Sequence, residues 1–141
     1  MYQKILVALD NSETDRAMFP HIAELAKLHG SRLLLVHVAD GWAARYYDLL
    51  NLAPSEEMEE DRTYLETAAA SLRAQGIEVM ARLALGDPAT GILNAASEEN
   101  CDLIAMTTHG QGGLQRLGMG SVIASVLGTS KVSLLIMQPQ Q

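Results

Sequence analysis

Five apolar runs of strand length, the first four each followed by a stretch of helical spacing, leave this chain few ways to fold. The runs are Lys4 to Leu9, Arg32 to Val38, Ile77 to Leu85, Asp102 to Met106 and Val132 to Met137. Strands that alternate strictly with helices imply a parallel sheet covered on both faces and joined by right-handed crossovers. The expected class is therefore α/β, a doubly wound five-stranded sheet. The first, second and fourth runs are almost continuously apolar and belong in its centre, whereas Glu78 and Arg82 interrupt the third, as in an edge strand. The strand order that follows is 3-2-1-4-5, with helices on both faces.

The helical stretches carry their own punctuation. After the first strand, Asp10-Asn11-Ser12 is a cluster of turn and N-cap formers. Ala17, Met18, Ile22, Ala23, Leu25 and Ala26 then trace one face as far as His29-Gly30, with Pro20 bending that helix or costing it a hydrogen bond. Pro54-Ser55 opens a second helix with an acidic first turn at Glu56, Glu57, Glu59 and Glu60. Its buried stripe is Met58, Leu65, Ala68, Ala69 and Leu72, and Gln75-Gly76 closes it. Asp87 and Pro88 are the N-cap and first residue of a third helix bearing Ile92, Leu93, Ala95 and Ala96. A fourth helix is expected from Gly120 to Leu127.

With 141 residues the chain has room for one domain, read as spanning 1–141. Ten Lys plus Arg against 17 Asp plus Glu give a formal charge of −7, and every cation stands alone in the sequence. That balance argues against nucleic acid and anionic membranes as partners. No apolar run approaches the length of a membrane span, and the start of the chain does not read as a signal peptide. A single cysteine, Cys101, excludes an internal disulfide and suits a reducing, cytoplasmic setting. His21, His29 and His37 lack metal-ligand spacing with one another or with Cys101, so no protein-built metal site is expected.

In the order 3-2-1-4-5 the topological switch point falls between the first and fourth strands, and ligands bind outside the carboxyl ends there. Those ends carry Asp10-Asn11-Ser12 and the loop from Thr107 to Met119. Within that loop and the next residue stand Gly110, Gly112, Gly113, Gly118 and Gly120. Backbone amides at such glycines, with a helix terminus at Gly120-Ser121, suit a phosphate cradle, and the same composition suits an ordinary connecting loop. Asp10 either meets a ligand or caps the first helix. His109 has no acid or nucleophile at a catalytic spacing and reads as a packing or structural residue. Arg116, the loop's one cation, either pairs with a phosphate or is solvated. Trp42, Tyr46 and Tyr47 form a lid, meet a partner, or plug their own connection.

The loop resembles the nucleotide loop of the universal stress protein family, whose ATP-binding members carry Gly-x-x-Gly, nine residues, then Gly-Ser or Gly-Thr. Nine residues separate Gly110 from Gly120-Ser121, while Thr107 stands where the first glycine belongs. The resemblance extends through KILVALDNSE, LLLVHV, GDPA, DLIAMTTHG and the terminal LLIM. It implies a Rossmann-like, adenine nucleotide alpha hydrolase-like fold that binds ATP, with any magnesium held mainly by the phosphates. Ala8 and Asp10 would then lie beside adenosine, and Val38 at the adenine edge. Met106, His109 and Gly110 would flank ribose and phosphates, and Gly120, Ser121, Val122 and Ile123 would face the phosphates. A threonine hydroxyl at Thr107 can hydrogen-bond a ribose or phosphate, although its Cβ occupies space that the glycine leaves open.

The function that follows is a small ATP-binding stress-response or regulatory protein without a committed reaction. There is no GxxxxGK[ST] loop, DNSET is unlike a flavodoxin phosphate loop, and phospho-receiver aspartate and lysine positions are not filled. The alternative is a partner-interaction module of the same fold that does not bind nucleotide. Val132 to Met137 would leave an apolar edge, and a homodimer through that strand removes it, as the resemblance also implies.

Overall fold

Each of the five apolar runs forms a strand in the computed structural model, which describes residues 1–11, 13–39, 56–107 and 117–138, the side chains of 56, 57 and 117–121 excepted. The elements are β1 (Lys4–Ala8), α1 (Thr14–His29), β2 (Arg32–Ala39), α2 (Glu56–Arg73), β3 (Val79–Leu85), α3 (Pro88–Glu98), β4 (Leu103–Thr107), α4 (Leu117–Thr129) and β5 (Ser133–Met137). All strand pairs are parallel and the order is β3-β2-β1-β4-β5, as the apolar patterning requires.

Successive side chains on a strand point to opposite faces, which divides the core in two. Ile5, Val7, Leu33, Leu35, Leu103 and Ala105 bury against Met18 and Ile22 of α1 and Leu65 and Leu72 of α2. Leu6, Leu34, Val36, Ile104 and Met106 bury against Ile92 and Ala95 of α3 and Val126 of α4. The expected stripes of α1 and α2 are thus the faces that pack. Helix α1 runs unbroken through Pro20 and ends at Gly30, whose φ of 66° lets its amide reach the Ala26 carbonyl.

Several boundaries differ from the sequence reading because local hydrogen bonds compete with the ladder. Ile77 does not start β3, since its amide still closes the helix end on Leu72. Asp102 does not start β4; its carboxylate receives the amides of Gln3 and Lys4, clamping the amino end of β1. The Val132 amide is taken by the Ser130 hydroxyl, so β5 begins one residue later. Helix α4 begins at Leu117, three residues before the expected Gly120, because glycine in a helix costs only about 1 kcal/mol and does not forbid it. At the start of α1, Glu13 occupies the cap position without a side-chain cap bond, and Ser12 of the expected Asp10-Asn11-Ser12 cluster lies outside the described residues. Asp87 caps α3 through the Thr90 amide with Pro88 in the first turn, as expected.

Gly91 of α3 sets how closely that helix approaches the end of β2. A Cβ there would lie 2.8 and 3.2 Å from the two Val38 methyl carbons and 3.6 Å from the Ala84 Cβ. Alanine normally gains about 1 kcal/mol over glycine in a helix. Overpacking against a stiff β-branched side chain costs about 2 kcal/mol. Gly91→Ala is therefore expected to lower stability by roughly 1 kcal/mol in urea unfolding, and to raise stability instead on a Val38→Ala background.

Candidate functional site

From β1 the chain winds outward through β2 to β3, then crosses back to lay β4 and β5 on the other side of β1, so the carboxyl ends of β1 and β4 flank the switch point. The two faces of the sheet differ in chemistry at this crest. On the α3/α4 face, Val38 and Met106 are buried, and Ala8, Val122 and Ile123 are partly buried against the same cluster. Five of the expected site residues therefore form one apolar wall. Thr107 is buried as well, 3% exposed, and by strand alternation it shares the face of Leu103 and Ala105, opposite Met106. Its extra Cβ lies in the interior of the α1/α2 side.

The α1/α2 face of the crest is polar. Asp15, in the first turn of α1, is 0% exposed. Its carboxylate receives the backbone amides of Asp10 at 3.1 Å and Asn11 at 2.8 Å, and the Tyr64 hydroxyl at 2.9 Å. Burial pushes the Asp15 carboxyl above its ordinary value and outweighs these bonds, which pull the other way. Desolvation, followed by the adjacent Asp15 charge, pushes the Tyr64 hydroxyl up in turn. Asn11 turns the chain with a φ of 56°, a left-handed conformation that asparagine tolerates better than most residues. Its Nδ2 donates to Asp61 of α2, 3.1 Å from Oδ1 and 3.4 Å from the backbone carbonyl.

Asp10, half-buried, thus sits at the crest on a turn whose amide is anchored by Asp15. His109, Gly110, Arg116, Trp42, Tyr46 and Tyr47 lie outside the described residues. Gly120 and Ser121 fall within the first two turns of α4, so the amides without an intrahelical acceptor shift toward residues 117–119. Among the described residues no group of three His, Cys, Asp or Glu side chains is placed to hold a metal ion. No described helix is long and apolar enough to cross a membrane.

The sequence reading missed Asp15, Asp61, Tyr64 and Gly91. Two of them had a signal. Asp15 precedes Met18 and Ile22 by three and seven residues, and Asp61 stands three residues after Met58 and four before Leu65, so each carboxylate lies on an apolar stripe. An acid at a core-facing position needs buried donors, and the turn after β1 supplies them to Asp15.

The model of the universal stress protein family matches residues 1–138. A universal stress protein of Methanocaldococcus jannaschii is 26% identical over 98% of this chain and 96% of its own length. One of Bacillus subtilis is 28% identical over 98% of this chain and 100% of its own. The solved structure of the M. jannaschii protein aligns with a TM-score of 0.84 at 28% identity, covering 100% of this chain and 99% of that one. An Archaeoglobus fulgidus universal stress protein, solved in complex with dAMP, shares the fold with a TM-score of 0.71 at 22% identity, over 96% of this chain and 97% of its own.

Removing the Asp15 carboxylate orphans two partly buried amides and a hydroxyl. Asp15→Ala is expected to cost roughly 3 kcal/mol in denaturant unfolding, and Tyr64→Phe about 1 kcal/mol. The folded protein holds the Asp15 proton more tightly than the unfolded chain does. Its contribution is therefore largest at low pH and declines as pH rises from the ordinary value of 3.8 through the raised folded value. The stability advantage of the native chain over Asp15→Asn should narrow across that window; a widening gap would refute the assignment.

Proposed function

Because the chain belongs to the universal stress protein family, we propose that it is an ATP-binding stress-response regulator, one cytoplasmic domain over 1–141 that holds the nucleotide at the β1/β4 switch point. What carries this reading is the apolar wall formed there by Ala8, Val38, Met106, Val122 and Ile123. A purine presents two apolar faces and a polar rim, and such a wall beside a polar turn at Asp10 suits it. Thr107, His109, Gly110, Gly120 and Ser121 belong to the loop and helix start that would meet ribose and phosphates. Between Thr107 and Ser121 there is one cation and no acid, so the net charge of −7 does not bear on an anion bound there by amides. Magnesium would arrive with the phosphates and be held mainly by them and by water. The Archaeoglobus fulgidus protein of this fold was solved with dAMP and another universal stress protein with cAMP, which supports an adenine nucleotide as the ligand class.

In this reading the protein acts by binding and not by turnover. Thr107, in the place of a glycine, favours a second reading, a partner-interaction module that does not take nucleotide. Denaturing the purified protein and identifying what it releases separates the two, together with calorimetric titration of ATP and magnesium. Released adenine nucleotide and a saturable heat are expected; neither would be seen for the partner module. Gly120→Val is expected to weaken binding by at least about tenfold, close to 1.4 kcal/mol, with the fold retained. Unchanged affinity would remove the loop from the site.

The homodimer is proposed through β5, which is an edge strand with Leu134, Leu135 and Ile136 only partly buried. Pairing with a second copy would cover a row of backbone groups that otherwise invites uncontrolled association. Light scattering should return twice the 15.2 kDa chain mass at micromolar protein. A monomeric mass would overturn it.

A further inference from the structure

His37, two residues before the end of β2 at Ala39, has both ring nitrogens engaged. Nδ1 lies 2.9 Å from the Leu9 carbonyl, and Nε2 lies 3.4 Å from Asp61 Oδ2 on α2. A carbonyl can only accept, so the Nδ1 proton is fixed by the backbone. The neutral ring then turns a lone pair toward the Asp61 carboxylate, and only the imidazolium attracts it. Both side chains are mostly shielded, at 15% and 17% exposure, so solvent screens the pair less than a surface pair. Asp61 also accepts from Asn11, whose amide is anchored by Asp15, and Leu9 continues the β1 pairing onto Val36. One contact therefore ties the first half of α2 to the ends of β1 and β2 together.

We propose that His37 and Asp61 form a proton-dependent latch, closed when His37 is charged, that holds α2 against the turn bearing Asp10 and Asn11. The group facing the ring from α2 is Asp61. One bond further along the network stands Asp15 of α1, with Tyr64 of α2 and Asp10 of the turn against it, and β3 sets only Leu83 beside His37 in register. Loss of the imidazolium proton replaces attraction with repulsion at Nε2 and loosens this corner. The latch does not depend on a bound nucleotide.

The test is thermal unfolding of the ligand-free chain at about pH 5.5 and about pH 8.5, on either side of histidine titration. The variants are Asp61→Asn, which keeps an acceptor for Asn11, His37→Asn, which keeps a donor near Leu9, and the double variant. At the lower pH, Asp61→Asn should lower Tm by about 3–6 °C in the native chain and by about 1 °C or less when His37 is already replaced. At the higher pH the native-background loss should vanish or reverse. Equal losses at both pH values, or equal losses with and without His37, would overturn the latch. Ring nitrogen NMR of the native chain gives a readout independent of variant folding: Nδ1 should stay protonated throughout while Nε2 loses its proton as pH rises. A neutral ring protonated at Nε2 instead would also overturn it.

Discussion

A strand buried on both faces has no place for a polar side chain that lacks partners, and three of the five strands here are in that position. Ile5, Leu6 and Val7 of β1 are fully buried, as are Leu33 and Leu35 of β2 and Ile104 and Ala105 of β4. Covering both faces requires two helices on each, and parallel pairing requires a crossover for every strand. These demands place α1 and α2 on one side and α3 and α4 on the other. They also push polar chemistry to the strand ends, where the chain leaves the core.

At the carboxyl ends the two faces meet different requirements. Toward α3 and α4 the wall is apolar, and Gly91 lets the helix close on Val38 so that the wall reaches the crest. Toward α1 and α2 a buried carboxylate faces back at the turn: Asp15, inside the first turn of α1, takes the amides of Asp10 and Asn11. The turn is thereby held from beneath. Its upper side is left to Asp10, at the end of the strand where a ligand in this topology would lie.

The elements were legible because their signals are local. Apolar runs mark strands, Gly30 with its positive φ ends α1, and the Asp87-Pro88 pair starts α3 in the structure as in the sequence. The boundaries were less legible where one hydrogen bond decides a residue's allegiance, as at Ile77, Asp102 and Val132. Helix α4 was read short because a glycine-rich stretch suggests loop, while two glycines in the first turn of a helix carry only a modest cost. The apolar part of the candidate site, Ala8, Val38, Met106, Val122 and Ile123, was read from the family resemblance, and the strand patterns alone gave only the crest on which Ala8, Val38 and Met106 stand.

By itself the sequence determined the alternation of strands and helices, the central and edge strands, and hence the location of the switch point. These follow from periodicity and composition within stretches of a few residues. The tertiary structure decided the polar network: Asp15 meets Tyr64 across 49 positions, Asn11 meets Asp61 across 50, and His37 meets Leu9 across 28. No local pattern encodes such meetings. They arise because packing α1 and α2 on one face of the sheet brings the polar interruptions of two apolar stripes over the same turn, where burial obliges each to find the other's partners.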